Sequence, residues 1–155
     1  MKALIRDPQF YEEKSKERVY YYCIDSLGRL FVEDMNPKNV TTCLKSPKFL
    51  RFFFSQLRWS ETEQERWEKA DAGEIELEPG GDGGFSEYPF FSPCGKEHNH
   101  VLAMDSPLVA SELKDNDTKL QLGAQVPLTF PLDLDRIVGA NGRVYALIDH
   151  KRLGN

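Results

Sequence analysis

The sequence predicts an α+β fold in which antiparallel sheet elements pack on one main helix at about residues 47–58. Two observations support this prediction. An apolar stripe recurs at helical spacing after residue 46, and short β-rich runs joined by turn residues fill much of the remaining chain. The 155 residues are 40% hydrophobic and 12% aromatic, which is typical of a packed domain. We therefore interpret residues 1–155 as a single domain.

A first hairpin is predicted between residues 19 and 33. Residues 19–24 read Val, Tyr, Tyr, Tyr, Cys, Ile, which are types enriched in strands. Asp25 and Gly28 then occupy the first and fourth positions of a type I turn, and residues 29–33 return as the second strand. Both alternating sets of the first strand are largely apolar or aromatic, so we expect this strand to be covered on both faces.

Two helix starts are predicted by a capping side chain followed by proline, at Asn36-Pro37 and at Ser46-Pro47. The second start precedes the main helix, whose aromatic and aliphatic positions form one stripe. The stripe comprises Leu50, Phe53, Phe54 and Leu57, widened by Phe49 and Phe52. A stripe of this kind is typical of the core, and we expect this helix to anchor it.

Residues 59–87 are interpreted as an acidic, glycine-rich insertion within the domain. They carry ten acidic and two basic side chains, and residues 78–84 hold four glycines and a proline. Ser60 and Glu63 have the spacing of a capping box, which predicts a short acidic helix to about residue 70. The insertion is either a solvated surface without a role or a docking element.

Both tryptophans of the chain, Trp59 and Trp67, lie in this polar insertion. Each either packs back onto the domain or serves as an anchor for a partner, because buried tryptophan dominates many interfaces. The sequence leaves both alternatives open.

The last third of the chain is predicted to form short strands separated by prolines and turn residues. The candidate strands are residues 88–91, 101–104, 108–111, 119–122, 126–130 and 144–148. The run Gly-Arg-Leu-Phe at 28–31 is echoed by Gly-Arg-Val-Tyr at 142–145, and each run follows a turn and opens a strand. This echo suggests a repeated hairpin motif or a chance similarity between hairpins.

The three cysteines are widely spaced, which does not fit a disulfide framework, and we expect reduced, mostly buried thiols. Cys94, His98 and His100 offer zinc-ligand chemistry or a thiol and a base. Their spacing fits no common structural zinc pattern, and we expect a hairpin turn near Cys94 with exposed histidines. We therefore predict no metal, no cofactor and no catalytic residue.

Other candidate sites are weaker still. The glycines at 80–84 have no lysine after them, so they do not form a phosphate-binding loop. Asp133 and Asp135 alternate with leucines, which favours a solvent face over a cation site. The formal net charge of −5 disfavours nucleic acid as a partner. The basic residues at 45–58 are expected opposite the apolar stripe, and no apolar run reaches the roughly 20 residues of a spanning helix.

Several stretches together resemble an uncharacterised mitochondrial family whose animal member is a chromosome-eight open-reading-frame protein. The stretches are residues 20–31, 39–50, 53–58, 88–99 and 141–145. The order of elements is distantly similar to a bacterial α+β domain of unknown function. The resemblance implies a mitochondrial setting and an α+β fold, and it brings no active site. Glu12, Glu13 and Glu17 do not fit the acid-poor pattern of a presequence, so the mitochondrial expectation rests on the resemblance.

These observations predict a non-catalytic accessory or scaffold subunit of a mitochondrial multi-protein assembly, with other protein subunits as partners. A respiratory-chain complex is preferred over the ribosome because the acidic balance argues against heavy RNA contact. The alternatives are a ligand-binding regulatory domain, a ribosome-associated protein and an unrecognised thiol enzyme. Relatives in the family continue past the last strand, whereas this chain stops at Asn155. Either the chain is naturally short or a partner supplies the missing elements, and in the second case we expect an unpaired edge there. The candidate interface residues are Trp59, Trp67, Val144, Tyr145 and Ile148.

Overall fold

The computed structural model describes residues 5–74, 87–133, 137–140 and 143–146, and it confirms the α+β class. The helices are α1 (Pro8–Lys16), α2 (Pro47–Gln56) and α3 (Glu61–Asp71). The strands are β1 (Val19–Ile24), β2 (Leu30–Val32), β3 (Arg58–Trp59), β4 (Phe90–Cys94), β5 (Glu97–Ala103), β6 (Ala110–Lys114), β7 (Lys119–Leu122), β8 (Thr129–Pro131), β9 (Ile137–Ala140) and β10 (Arg143–Ala146). None of these helices is long and apolar enough to cross a bilayer.

The predicted hairpin of β1 and β2 is confirmed. The amide of Gly28 donates to the carbonyl of Asp25 at 3.1 Å, and the Asp25 carboxylate accepts from the amides of Leu27 and Arg29. Gly28 has a φ of 84°, which an L side chain adopts only with strain. A Cβ at Gly28 would also lie 3.1 Å from Val109, so the turn packs closely against the chain before β6.

The five-stranded sheet has the order β2-β1-β5-β4-β3, and it is mixed where the sequence predicted antiparallel elements. β1 pairs in parallel with β5, with Tyr22 opposite Val101, and the other neighbours are antiparallel. A parallel neighbour requires a long crossover, and residues 25–96 supply it. β1 is therefore an interior strand covered on both faces, as its double apolar pattern predicted.

The two faces of this sheet are covered by different helices. The α2 face carries Tyr22, Ile24 and Val101, which join the main hydrophobic core. The α1 face carries Tyr21 and His100, and Phe10 of α1 packs on Tyr21 with ring centroids 5.2 Å apart. Residues alternate between these faces along β1 and β5 because successive side chains of a strand point in opposite directions.

Helix α2 is the predicted core anchor. Ser46 caps it by accepting from the amide of Phe49 at 3.4 Å, and Leu50, Phe53, Phe54 and Leu57 are buried. Phe52 lies on the outer side with 46% of its surface exposed. The predicted apolar stripe is therefore correct except for Phe52, which is exposed.

The predicted helix start at Asn36-Pro37 is wrong, because residues 34–45 form bends and turns. Local side chains satisfy the backbone there instead of a helix. The Asn39 side-chain oxygen accepts from the amide of Thr41 at 2.9 Å, and the Thr42 hydroxyl donates to the carbonyl of Pro37 at 2.8 Å. Such short polar side chains compete with helix formation.

Helix α3 is confirmed, with Ser60 accepting from the amide of Glu63 at 3.3 Å. Residue 59, where we placed the start of the insertion, belongs to the sheet, because Trp59 pairs with Phe90 at its β3 edge. The glycine-rich run at residues 78–84 lies outside the described residues.

The last third contributes a three-stranded sheet, β6-β7-β8, and the hairpin of β9 and β10. The predicted strand at residues 119–122 is β7, and the other predicted strands are displaced by up to about four residues. Leu122 and Val126 are buried in the main core, which joins the two sheets. β2 and β10, which begin within the two echoed runs, are each the second strand of an antiparallel hairpin.

Candidate functional site

The Cys94 thiol and the two nearby histidines lie on opposite faces of the five-stranded sheet. Cys94 is buried on the α2 face, close to Ser92. His98 and His100 pair with Pro93 and Phe91 and share the α1 face with them. His98 is exposed as predicted, but His100 is half-buried and stacks on Tyr21. The hairpin therefore separates the candidate nucleophile from the candidate base.

Cys94 and Cys23 are buried free thiols, and Cys43 is half-buried. Burial raises the pKa of Cys94, although the Ser92 hydroxyl and the Asn99 amide offset part of that rise. Burial also raises the pKa of Cys23 to about 11. Reactive cysteines usually have a lowered pKa, so these thiols have the character of core residues.

The described residues contain no group of three or more histidine, cysteine or carboxylate side chains that could hold a metal ion. Asp133 is exposed, in line with its predicted place on a solvent face, and Asp135 lies outside the described residues.

A continuous row of rings occupies the α1 face over β5 and β4. We call Phe91, His98 and His100 the aromatic floor. The Phe91 ring stacks on His98 with centroids 5.9 Å apart and lies 5.6 Å from His100. The floor continues to Tyr21 and Tyr88, whose rings lie 5.3 Å and 6.1 Å from His100.

Two cations border the aromatic floor. Arg58 of β3 lies over the Phe91 ring at 5.6 Å, on the outer side of the sheet. Lys14 of α1 lies over the Phe10 ring at 5.8 Å. Burial, together with the charges of His98 and Lys14, lowers the pKa of His100. Among the residues that the structure describes, neither Arg58 nor Lys14 forms an ion pair with a carboxylate. The floor is therefore aromatic and flanked by cations.

A buried carboxylate connects α1 to the sheet beside this floor. Glu33 is 1% exposed and accepts from the hydroxyls of Tyr11 at 2.7 Å and Tyr88 at 2.6 Å. The amide of Arg6 donates to the Tyr11 hydroxyl at 2.9 Å, and the Arg6 side chain pairs with Glu87. Burial, followed by the bond to Glu33, raises the pKa of Tyr88. The network holds α1 against the sheet and fixes one border of the floor.

A second candidate surface lies where β1 and β5 end. We call Leu27, Met104 and Val144 the apolar end. Leu27 follows β1 and Met104 follows β5, and the amide of Met104 donates to the carbonyl of Ile24 at 2.8 Å. Because β1 and β5 are parallel, their carboxyl ends meet at one edge of the sheet. The exposed fractions are 60% for Leu27, 41% for Met104 and 74% for Val144.

A hydrogen bond joins the β9–β10 hairpin to this edge. The Tyr145 hydroxyl donates to a carboxylate oxygen of Asp105 at 2.9 Å, and Asp105 directly follows Met104. Val144 and Tyr145 are consecutive residues of β10, so their side chains point to opposite faces of this hairpin. Ile148, the remaining residue predicted for this interface, lies outside the described residues.

Of the two tryptophans predicted as anchors, Trp59 lies in a strand of the five-stranded sheet and Trp67 lies in α3. Trp59 is half-buried in β3 and packs on Phe90 with ring centroids 4.7 Å apart. It lies against the core cluster, so its indole contributes to packing of the domain. Trp67 belongs to α3, and its side chain lies outside the described residues.

Sequence reasoning missed both the aromatic floor and the network at Glu33. The floor depends on a parallel pairing between strands far apart in the chain. One local pattern indicated the network. Glu33 lies two residues after Phe31, so it faces the same side of an otherwise apolar strand. It also depends on α1, which sequence analysis did not predict. Asp7 caps α1 by accepting from the amide of Gln9 at 2.8 Å, and Pro8 begins it.

Comparison with known proteins finds similarity to uncharacterised domains. The model of a family described as a domain of unknown function, DUF4505, matches residues 9–70. A second match is the crystal structure of a DUF1285 family protein from Shewanella baltica. That comparison gives a TM-score of 0.48 and 16% identity and covers 87% of this chain and 82% of that one. Over residues 9–70, the chain is thus similar to an uncharacterised domain family.

Proposed function

We propose that this protein is a non-catalytic accessory or scaffold subunit that docks on other protein subunits through its apolar end. The observation that carries the proposal is the exposure of three large apolar side chains on neighbouring elements, at 60% for Leu27, 41% for Met104 and 74% for Val144. Leu27 and Met104 follow the neighbouring ends of β1 and β5, and exposed large apolar side chains of this kind often mark protein–protein interfaces.

Its exposure makes the apolar end a better candidate docking surface than the tryptophans. Trp59 contributes to internal packing against Phe90, whereas Val144 is largely exposed. Asp105, which directly follows Met104, accepts a hydrogen bond from the Tyr145 hydroxyl. A polar, hydrogen-bonded border around apolar side chains is the usual composition of an interface rim.

The finer part of the proposal is a mitochondrial assembly, with a respiratory-chain complex preferred. It rests on the resemblance to an uncharacterised mitochondrial family and on the acidic net charge of −5, which disfavours a position in contact with ribosomal RNA.

The test is retention of the tagged chain in a large complex on a native gel of mitochondrial extract. Val144→Asp and Leu27→Asp place a charge in the apolar end, and we expect each to release the chain from the complex. Val40→Asp is the matched control, because Val40 is also a highly exposed valine, at 63%, in the turns between β2 and α2. We expect this variant to remain in the complex.

Unchanged retention of both interface variants would reject the apolar end as the docking surface. A wild-type chain that migrates alone in every extract would reject the accessory-subunit role itself. Recovery in a cytosolic fraction with no mitochondrial pool would reject the mitochondrial setting.

A further inference from the structure

We propose that two copies of this chain associate through β6, whose outer edge pairs antiparallel with the same edge of the second copy. The two-fold axis passes through Leu113, so that Glu112 of each copy lies opposite Lys114 of the other. This inference goes beyond docking at the apolar end, because it concerns a different strand and takes a second copy of this chain as the partner.

Strand β6 offers an unpaired edge. In the three-stranded sheet β7 lies between β6 and β8, and within the described residues β6 pairs with β7 alone. All five residues of β6 are exposed. An edge strand presents a row of backbone N–H and C=O groups with which another strand can form a ladder. The outer edge of β6 is therefore open to a further strand.

The direction of the backbone groups selects Leu113 as the centre of the pairing. The amide of Thr118 donates to the carbonyl of Lys114 at 3.1 Å across the turn after β6, so the Lys114 carbonyl faces β7. Because the backbone groups of successive strand residues point to opposite edges, the amide and carbonyl of Leu113 point away from β7. Two copies centred on Leu113 can therefore exchange a pair of N–H···O bonds between these groups.

The charges of β6 are complementary to those of a second copy. Glu112 and Lys114 pair at 3.1 Å, and their side chains remain 55% and 47% exposed. Pairing centred on Leu113 brings opposite charges together at both positions, whereas pairing centred on Glu112 would place that carboxylate opposite its own copy, which destabilises a sheet. Lys119, opposite Lys114 on β7, is paired with Asp115 at 3.2 Å. A carboxylate from the second copy is therefore directed to Lys114.

An apolar row crosses the other face of this sheet and ends at the same position. Leu113 lies opposite Leu120 of β7, and Leu120 lies opposite Phe130 of β8. Phe130 packs against the main core, whereas Leu113 at the far end of the row is 47% exposed. Pairing at Leu113 covers this exposed end with the same side chain of the second copy, which removes apolar surface from water.

The edge is held in place before a second copy arrives. The amide of Gly123 donates to the carbonyl of Val109 at 2.6 Å, and Leu122 at the end of β7 is buried in the main core. A preformed edge loses little conformational freedom on pairing, so less binding free energy is lost. Because the ladder is short, it buries less area than a standard interface, and we expect a dimer that dissociates on dilution.

The test is sedimentation velocity of the full chain over a range of concentrations, in which the wild type should shift from monomer to dimer. Lys114→Glu and Glu112→Lys each place like charges opposite each other across the two-fold axis, so each should raise the dimer dissociation constant about tenfold. Lys96→Glu is the matched control, because Lys96 is exposed in the turn between β4 and β5. This control changes the net charge as Lys114→Glu does and should leave the constant unchanged.

Mixing the two interface variants gives a sharper test of the register. Lys114→Glu leaves two acidic side chains on β6, and Glu112→Lys leaves two basic ones. Every charge then meets an opposite charge, so the mixture should form a heterodimer more tightly than either variant forms a homodimer. Leu113→Ser should raise the dissociation constant of the otherwise unchanged chain about tenfold, because the leucines of both copies meet at the axis.

A wild type that stays monomeric at every concentration would overturn the dimer. Equal dissociation constants for Lys114→Glu and Lys96→Glu would overturn β6 as the interface. Loss of the dimer in Leu27→Asp, with the β6 variants unaffected, would move the interface to the apolar end. Absence of a heterodimer in the mixture would overturn the pairing centred on Leu113.

Discussion

On one face of the five-stranded sheet, α2 packs Phe53 against Tyr22 with ring centroids 5.1 Å apart, and the surrounding side chains are mostly apolar. On the other face, α1 is held by hydroxyls that donate to the buried carboxylate of Glu33. The same strand, β1, supplies both faces through alternate residues. Burial of apolar area closes the first face. The second is closed by the packing of Phe10 on Tyr21 together with hydrogen bonds to the Glu33 carboxylate.

This difference has an energetic consequence. Apolar burial is non-directional and adds up over many contacts, so the α2 face should resist small displacements. A charged hydrogen-bond network depends on geometry, and a buried charge that loses its partners is costly. The α1 face should therefore open first, and its stability should vary with pH.

The largest expected effect is on the α2 face. Phe53→Ala should lower the free energy of unfolding by about 3–5 kcal/mol, because it removes a fully buried ring from the core. Phe52→Ala is the matched control on the next residue of the same helix, where 46% of the side chain is exposed. Denaturant melts of both variants measure the difference. Equal melts would mean that the stripe of α2 is not the anchor of the core.

A smaller loss is expected on the α1 face. Glu33→Leu should cost about 2–3 kcal/mol, because the Tyr11 and Tyr88 hydroxyls lose their acceptor. Asp34→Leu, at the exposed neighbouring position, is the control and should have little effect. A melt of Glu33→Leu that matches the wild type would show that apolar contacts also dominate on this face.

The two faces should also differ in how much stability they lose at alkaline pH. Burial, reinforced by the bond to Glu33, raises the pKa of Tyr11 to about 12, above the value near 10 of an unfolded tyrosine. The protonated hydroxyl is thus favoured in the folded state, so its contribution is fully present below about pH 10 and is lost as pH rises toward 12. Tyr11→Phe should flatten the fall in stability over that window. Tyr22 on the α2 face and Tyr21 and Tyr88 on the α1 face also have raised pKa values, so an undiminished slope would show that Tyr11 does not carry the effect.

The smallest effect concerns local opening, and each face has its own buried cysteine. Cys23 pairs with Phe31 across the β1–β2 hairpin on the α1 face, and Cys94 lies on the α2 face. Under native conditions we expect the half-buried Cys43 to react first with a thiol reagent, followed by Cys23 and then Cys94, because no residue of α1 is fully buried whereas α2 buries Leu50, Phe53 and Phe54. Mass spectrometry of the labelled peptides gives the order. Modification of Cys94 before Cys23 would reverse the ranking of the two faces.

Local chemistry was enough to predict several elements from the sequence. The Asp25 to Gly28 turn, the stripe of α2 and the Ser60 cap each depend on residues within about one or two turns of each other. The α+β class follows from those same local patterns. The false helix start at Asn36 shows the limit, because the Asn39 and Thr42 side chains satisfied the backbone in another way.

Tertiary structure alone decided the candidate sites. The parallel pairing of β1 with β5 joins residues about eighty apart, and it places His100 beside Tyr21 and Met104 beside Ile24. No local pattern encodes such a partner, since its stability comes from burial of both faces of β1 at once. The sequence determined which side chains alternate on each strand. The crossover decided which of them meet, and therefore separated Cys94 from the histidines and brought the rings and cations of the aromatic floor together.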